Sequence, residues 1–174
     1  MLIDFNITSI PVSVTTIARA ANISVIKNSE VNELKSNEAG VGINNQGDWY
    51  IVYDDSMARE HIRFTVAHEL GHIFLGHPLT VGYYTRTVTV NKPEVEQEAD
   101  IFASRLLMPA CVIWGLNIHT AKDIQNVFDV SYTAAEIRAE RMRILYERNK
   151  FLTSPLEKRV YDRFEPYIQA NRRI

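Results

Sequence analysis

The feature that most constrains this chain is the stretch from Arg63 to His72, which contains the pattern H-E-x-x-H. Its two histidines, His68 and His72, are four residues apart, so on an α-helix they lie one above the other on the same face. Two imidazoles in this arrangement can occupy neighbouring corners of one Zn²⁺ tetrahedron, and Glu69 follows about 100° round the helix. The pattern predicts a metal-binding helix with an acidic side chain beside the metal. The alternative interpretation of the bare motif is a pair of surface histidines.

The residues around the motif favour a helix. No proline occurs between Ser56 and His77, and apolar residues recur there at helical spacing. They are Ile62, Val66, Leu70, Ile73 and Phe74. Because the two histidines lie on the opposite side of the helical wheel, we expect the helix to pack its apolar face on a core and to hold the histidines toward a cleft. We expect it to stop before Pro78, since proline disfavours helical geometry in the residue that precedes it.

Length and composition indicate one domain, or one domain with a small appendage. The 174 residues are 46% hydrophobic and 23% charged, as in ordinary soluble proteins. No apolar run approaches the roughly 20 residues that a membrane span requires, and the N-terminus does not resemble a secretory signal. The single cysteine, Cys111, excludes an intramolecular disulfide and is expected to be a small buried side chain. We expect a cytoplasmic protein that does not associate with membranes.

A short helix and a small sheet are predicted before the motif helix. In order, these elements are a helix over 11–22, a strand over 23–26, a polar loop or weak helical turn over 28–37, and strands over 39–43 and 49–53. The last two strands are apolar runs on either side of an Asn/Gly-rich turn, which is typical of a β-hairpin. Residues 79–92 are rich in Thr, Val and Tyr and are predicted to form an extended loop or strand over the cleft.

A second helix, predicted over 93–108 between two prolines, offers carboxylates for the metal. A catalytic zinc usually has three protein ligands and one open position. Glu96 lies at the edge of the apolar face of this helix and is the predicted third ligand, with Glu98 on the other edge as the alternative. Asp100, four residues after Glu96, could accept the free ring N–H of a zinc-binding histidine and fix its tautomer.

Two segments together carry a longer pattern than H-E-x-x-H alone. The first reads Arg63-Phe64-Thr65-Val66-Ala67-His68-Glu69-Leu70-Gly71-His72, and the second reads Glu96-Gln97-Glu98-Ala99-Asp100-Ile101-Phe102-Ala103, followed by Leu106-Leu107-Met108-Pro109. At this separation they resemble the ImmA/IrrE family of zinc metallopeptidases over roughly residues 10–115, with His61 where that family usually has an arginine.

The resemblance implies both a fold and an activity. It implies one Zn²⁺ per chain held by His68, His72 and Glu96, with Glu69 as the general base. It also implies a minimal gluzincin-like fold, here expected without a C-terminal sensor domain. Many members of the family lie beside a helix-turn-helix repressor in mobile elements or stress-response loci and cleave that repressor.

The group that stabilises the oxyanion during peptide hydrolysis is left open by the sequence. Tyr83 and Tyr84, after the motif helix, could donate a hydrogen bond to it, and so could His77. A tyrosine that only packs is the alternative interpretation for the first two positions.

The C-terminal part is predicted to be helical, with a basic end. Residues 138–174 contain ten Lys and Arg against five Asp and Glu, a net charge of +5, whereas residues 1–137 contain nine against sixteen, a net of −7. Helices are predicted over 120–128, 132–148 and 154–171, and the first two have the rhythm of a helix-turn-helix. The start of the second, residues 132–136, has no Arg, Asn or Gln to read bases.

Three arginines of that second helix, Arg138, Arg141 and Arg143, could contact phosphates. Packing on the peptidase body, or holding a protein substrate, is the alternative role of these helices. Direct nucleic-acid binding is therefore possible but disfavoured.

The sequence as a whole predicts an α+β protein with a minimal zincin-like metallopeptidase core. This core is expected to combine a small antiparallel or mixed sheet with metal-binding helices over residues 1–115, followed by a helical region over residues 116–174. The predicted function is zinc-dependent cleavage of a specific protein partner, a helix-turn-helix transcriptional repressor. The alternatives are a metal-stabilised protein-binding regulator without turnover, and a DNA-binding regulator that uses the C-terminal helices.

Overall fold

A computed structural model describes residues 1–77, 83–84 and 93–172, and its α+β architecture is the predicted one. The chain divides into two compact units, one of Ser13–Ala103 and one of Met1–Val12 with Ser104–Ile174. In this division residues 1–12 and 104–115 group with the later helices. The predicted domain boundary after residue 115 stays a prediction.

The first unit, Ser13–Ala103, contains a mixed sheet. Its strands are β1 (Ile23–Lys27), β2 (Glu38–Asn45), β3 (Asp48–Tyr53) and β4 (Tyr83–Tyr84). They are ordered β1-β3-β2-β4, with β1 parallel to β3 and the other two pairs antiparallel. The predicted mixed sheet and the predicted strand over 23–26 are therefore confirmed.

The predicted hairpin is confirmed as β2 and β3, and its turn has only two residues. Gln46 and Gly47 have positive φ angles of 54° and 104°, as in the type I′ turn that suits the twist of paired strands. The side chain of Asn44 accepts a hydrogen bond from the backbone N–H of Gly47 at 3.0 Å. The strands are longer than predicted because pairing continues to Asn45 and Asp48.

Four helices accompany this sheet in the described residues. They are α1 (Val14–Ala20), α2 (Asn28–Val31), α3 (Arg59–Leu75) and α4 (Glu94–Leu107), the last of which continues into the second unit. Helix α1 begins later than predicted because Ser13 is its N-cap, with the hydroxyl accepting from Thr16 N–H at 3.3 Å. The polar segment after β1 forms a single helical turn, α2.

Helix α3, which carries the motif, is buried through most of its length. Every residue from Thr65 to His72 is buried, including Val66 and Leu70 of the predicted apolar face. Phe74, predicted to belong to that face, is instead 39% exposed and stacks on Phe102 with ring centroids 6.4 Å apart. The prediction for Phe74 is wrong because α3 has left the core by its last turn.

Helix α3 stops before Pro78, as predicted, and a glycine two residues before the proline ends it. The helix ends at Leu75, and Gly76 follows in the left-handed conformation with φ 72°. Gly76 N–H bonds to Ile73 O at 3.3 Å and His77 N–H bonds to His72 O at 2.9 Å. These two bonds are those of a Schellman motif, which terminates the helix by itself.

The second unit is helical in its described part. After the end of α4 it contains α5 (Ala110–Gly115), α6 (Ala121–Phe128), α7 (Tyr132–Glu147) and α8 (Pro155–Asn171). Thr120, Ser131 and Ser154 cap the last three through their hydroxyl groups. The three predicted helices and the helix-turn-helix-like pair α6–α7 are confirmed, whereas the short α5 was not predicted.

Two of the three arginines considered for phosphate contacts make hydrogen bonds or ion pairs inside the second unit. Arg138 is buried and its Nε donates to Met108 O at 2.9 Å. Arg143 pairs with Glu140 at 2.7 Å and with Glu147. Only Arg141 of this set is exposed and outside the ion pairs found among the described residues. Of the three arginines, Arg141 and Arg143 therefore lie on the exposed surface of α7, and Arg138 does not.

Cys111 is buried, as predicted, and burial raises the pKa of its thiol to about 12. Such a thiol stays protonated and unreactive at neutral pH. Among the helices of the described residues, none combines the length and the apolar character needed to cross a membrane.

Candidate metal centre

Helix α3 places the two motif histidines on one face, as their spacing requires. His68 and His72 are both buried, and their Nε2 atoms are 3.0 Å apart. The rings meet edge to face, with centroids 4.7 Å apart. The two nitrogens thus point to a common position inside the first unit rather than to bulk solvent, so the histidines are not a surface pair.

Glu96 of α4 completes this position. Its Oε2 lies 3.4 Å from His68 Nε2 and its Oε1 lies 3.3 Å from His72 Nε2. His68, His72 and Glu96 each offer one donor atom, and these atoms lie within 4.8 Å of one another, so the three could hold a metal ion. Tetrahedral zinc ligands at about 2.0–2.1 Å from the ion are about 3.3 Å apart. The observed separations fit that requirement.

A close approach of α4 to α3 brings Glu96 to the histidines. The approach occurs at Gly71, where an added Cβ would lie 3.1 Å from Phe102 Cδ1 and 3.2 Å from Ala99 Cα. A side chain at position 71 would push α4 away. Gly71 thus leaves room for the helix that carries Glu96.

Asp100, one turn after Glu96 on α4, contacts the other nitrogen of His68. Its Oδ1 lies 2.9 Å from His68 Nδ1. A carboxylate only accepts, so Nδ1 carries a hydrogen, and His68 in its neutral form presents the lone pair of Nε2 to a metal. This is the contact expected of Asp100 from the sequence.

Glu98, the alternative ligand, is not brought into this group. It lies on a different face of α4, where its Oε2 is 3.0 Å from His77 Nε2, and its side chain is 52% exposed. The geometry favours Glu96 over Glu98.

Three residues were predicted as possible hydrogen-bond donors to the oxyanion, and the structure describes the side chain of only one of them, His77. Both ring nitrogens of His77 are engaged, Nε2 by Glu98 and Nδ1 by His72 Nδ1 at 3.1 Å. His77 therefore has no ring N–H left for a substrate. Tyr83 and Tyr84 form β4, but their side chains lie outside the described residues.

Glu69 is buried beside the histidines without being one of the three donors. Its Oε1 has no hydrogen-bond partner in the described part of the chain. Burial raises the pKa of Glu69 above its ordinary value, against the opposing effects of His68, His72 and a backbone hydrogen bond from Gly42. A buried carboxylate oxygen without a partner is costly for stability, so its retention points to a chemical role.

The charges of the three donor groups depend on one another. Burial alone would lower the pKa of His68, but hydrogen bonds to Asp100 and Glu96 outweigh it and raise that pKa above its ordinary value. Burial alone would raise the pKa of Glu96, but hydrogen bonds from His68 and His72 lower it well below its ordinary range. The metal-free site thus holds one carboxylate between two imidazoles that favour its charged form.

One residue of the site, Gly40 of β2, was missed in the sequence. An added Cβ there would lie 2.4 Å from Thr65 Cγ2 and 3.7 Å from Glu69 Cγ. The glycine lets β2 lie against the motif helix beside Glu69. The signal was present, since glycine inside a strand often marks a close backbone approach.

Comparison with protein families adds independent evidence. Residues 20–140 match the family model Peptidase_M78, described as the IrrE N-terminal-like domain, and this match includes α3 and α4. No curated protein matches the chain. The family match covers well over half of the 174 residues. The chain therefore belongs to the M78 family of metallopeptidases with an IrrE N-terminal-like domain, which confirms the resemblance seen in its two motifs.

Proposed function

We propose that this chain is a zinc-dependent endopeptidase that cleaves one specific protein partner, a helix-turn-helix transcriptional repressor. The observation that carries the peptidase activity is the position of Glu69. Its Oε1, which has no hydrogen-bond partner within the described ranges, is buried beside three ligand atoms that converge as a metal site requires. Membership of a metallopeptidase family supports the same conclusion.

His68, His72 and Glu96 would hold the metal. Two imidazoles and one carboxylate suit zinc, and three protein ligands leave a position open, as in catalytic zinc sites. When bound, zinc would supply Lewis-acid chemistry, polarising the scissile carbonyl and making water a better nucleophile at neutral pH. Asp100 would keep His68 in the tautomer that presents Nε2.

Glu69 would move the proton. Its Oε1 accepts a proton from water as the water oxygen bonds to the carbonyl carbon of the substrate. It then gives this proton to the amide nitrogen as the C–N bond breaks, which releases a carboxylic acid and an amine. The raised pKa of Glu69 suits a group that must first take and then release a proton near neutral pH.

The choice of a repressor as the substrate rests on the resemblance of the two motifs to the ImmA/IrrE family. Of the other two functions considered, a binding regulator without turnover would need the three ligands, but it would not need a buried Glu69 whose Oε1 has no hydrogen-bond partner among the described residues. A DNA-binding regulator would need accessible arginines on α7, and Arg138 and Arg143 are engaged. Both alternatives are weaker on these grounds.

Metal content is the first test of the site. We would compare the wild-type protein with Glu69→Gln, Glu96→Ala and Glu94→Ala, the last an exposed position near the start of α4. Wild type, Glu69→Gln and Glu94→Ala should each bind about one zinc, and Glu96→Ala should lose it. If zinc-supplemented wild type binds no metal, the proposed function is wrong.

Cleavage can be tested without knowing the substrate. Zinc-loaded wild type or Glu69→Gln would be incubated with an extract of host proteins, and new protein N-termini would be identified by mass spectrometry. We expect a small set of termini that need Glu69 and disappear with a chelator, and we expect one to fall within a helix-turn-helix repressor. Identical termini with both proteins would contradict the peptidase assignment.

A further inference from the structure

His72 contacts the ring of His77, and His77 in turn contacts the carboxylate of Glu98. Its Nδ1 lies 3.1 Å from Nδ1 of His77, and Nε2 of His77 lies 3.0 Å from Oε2 of Glu98. We infer that His77 and Glu98 are a positioning pair that holds His72 in its metal-binding tautomer and orientation. This inference rests on the proposed metal-binding role of His72.

The end of helix α3 creates this arrangement. In the Schellman motif, the residue after the left-handed glycine bonds back to the carbonyl five residues earlier, and the side chains of these two residues commonly touch. Here they are His77 and His72, joined by the 2.9 Å bond between His77 N–H and His72 O. The usual apolar contact is replaced by two imidazoles with centroids 5.1 Å apart. Gly76 therefore fixes His77 against the metal-site histidine.

The order of donors and acceptors follows from the carboxylate at the end of the chain of contacts. A carboxylate only accepts, so Nε2 of His77 carries a hydrogen and donates it to Glu98. A neutral imidazole has one donor and one acceptor nitrogen, so Nδ1 of His77 accepts. Nδ1 of His72 must then donate, which leaves the lone pair of its Nε2 unprotonated.

That free nitrogen is the one at the metal site. His72 Nε2 lies 3.0 Å from His68 Nε2 and 3.3 Å from Glu96 Oε1. The opposite set of tautomers would put a ring lone pair of His77 against the Glu98 carboxylate. The contacts thus select the tautomers in which both motif histidines present Nε2 to a metal, one through Asp100 and one through His77.

His77 and Glu98 should contribute unequally to metal affinity. The His77 side chain is only 8% exposed, whereas that of Glu98 is 52% exposed. Solvent weakens an exposed charged contact. His77 should therefore contribute more to metal binding than Glu98.

The test measures zinc affinity by competition with a chelator. His77→Phe keeps a ring but no hydrogen bond and should lower the affinity about 10–100-fold, the usual effect of losing such a support. His77→Gln can accept from His72 and donate to Glu98, so it should recover much of the loss. Glu98→Gln should show a smaller loss than His77→Phe. Glu94→Gln, an exposed glutamate one turn earlier on α4, is the matched control and should bind as wild type.

The tautomers can be read in the zinc-bound protein. Ring-nitrogen NMR of zinc-bound wild type should show His72 protonated at Nδ1 and His77 protonated at Nε2. In Glu98→Gln, His77 should show a mixture of tautomers, because an amide can donate as well as accept. A zinc-bound wild type with His77 protonated at Nδ1 would overturn the inference.

The affinities separate this inference from the proposed function. If wild type binds zinc through Glu96 while His77→Phe and Glu98→Gln bind as tightly as wild type, the positioning pair is wrong and the zinc site stands. If His77→Phe binds as tightly as wild type and only His77→Gln loses affinity, ring packing and not hydrogen bonding supports His72, which would also overturn it. If wild type binds no zinc, the proposed function fails, and the positioning pair, which rests on it, fails with it.

Discussion

Asp100 Oδ1 and His68 Nδ1 are 2.9 Å apart across the contact between helices α4 and α3. The same helix α4 therefore supplies a carboxylate to each side of the His68 ring, Asp100 at Nδ1 and Glu96 at Nε2. A ring held from both sides has little freedom to turn. Helix α4 thus supplies one predicted metal ligand, Glu96, and also fixes the orientation of a second one, His68.

Removing the acceptor at position 100 should weaken metal binding without removing it. Asp100→Leu removes the carboxylate that contacts His68 Nδ1, and we expect zinc affinity to fall about 10–100-fold. Asp100→Asn can still accept through its amide oxygen and should lose less. Chelator competition would measure both, with the exposed Glu94→Gln as control. Equal affinities of Asp100→Leu and wild type would show that the contact does not orient His68.

Glu69→Gln should stabilise the metal-free protein at neutral pH. Burial raises the pKa of Glu69 above the ordinary value of 4.5, so the folded state binds a proton more tightly than the unfolded state. By linkage, the wild type loses stability as the pH rises from about 4.5 through the folded pKa. A glutamine has no charge to bury and escapes this loss.

Unfolding temperatures in the presence of a chelator would test this at several pH values. Glu69→Gln should unfold at a higher temperature than wild type at about pH 7.5, and its advantage should shrink toward pH 4.5. Glu94→Gln, an exposed glutamate on another helix, should show no such trend. An advantage for Glu69→Gln that does not change with pH would contradict the assignment to a buried charge.

Arg138 should matter for stability, and Arg141 should not. Arg138 is buried and donates to Met108 O at 2.9 Å, whereas Arg141 is exposed on the same helix. Arg138→Ala removes a charged donor from a buried carbonyl and should lower the free energy of unfolding by about 1–3 kcal/mol. Arg141→Ala should change it by less than about 0.5 kcal/mol. Denaturant unfolding would measure both, and similar small effects would mean that the Arg138 contact contributes little.

The parts of the site that depend on nearby residues were predictable from the sequence. The i, i+4 spacing of His68 and His72 places them together on any helix, and the turn signals between Asn44 and Asp48 specify a hairpin. The second motif adds Glu96 and Asp100, because their phase on one helix follows from their spacing. Hence the fold class and the three possible ligands were predicted.

Contacts between distant segments and the ends of helices were harder to predict. Nothing near Gly40 in the sequence shows that its partner is Thr65. The contact of His77 with His72 depends on the left-handed conformation of Gly76, which the helical pattern before it does not indicate. Helix α5 has only six residues, too few for a periodic apolar pattern to be recognised.

Gly40 and Thr65 should show strong energetic coupling. The φ angle of Gly40 is not positive, so alanine meets no left-handed backbone conformation there, but its Cβ would lie 2.4 Å from Thr65 Cγ2. Thr65 is buried on α3 and cannot move aside freely. We expect Gly40→Ala to lower the free energy of unfolding by about 1–3 kcal/mol through overpacking.

Thr65→Ser provides the matched test, since it removes Cγ2 and keeps the hydroxyl. In the double variant Gly40→Ala with Thr65→Ser, the new methyl group occupies the space that Cγ2 left. The double variant should therefore be more stable than the sum of the two single effects predicts, by about 0.5–3 kcal/mol. The double variant should not regain the full stability of the wild type, because the backbone oxygen of Val52 lies 3.2 Å from the added Cβ.

The same Cβ would lie 3.7 Å from Glu69 Cγ, so these variants also test the packing of β2 against the proposed general base. Additive effects would mean that the strand simply shifts, and that Gly40 does not hold β2 and α3 at their observed separation.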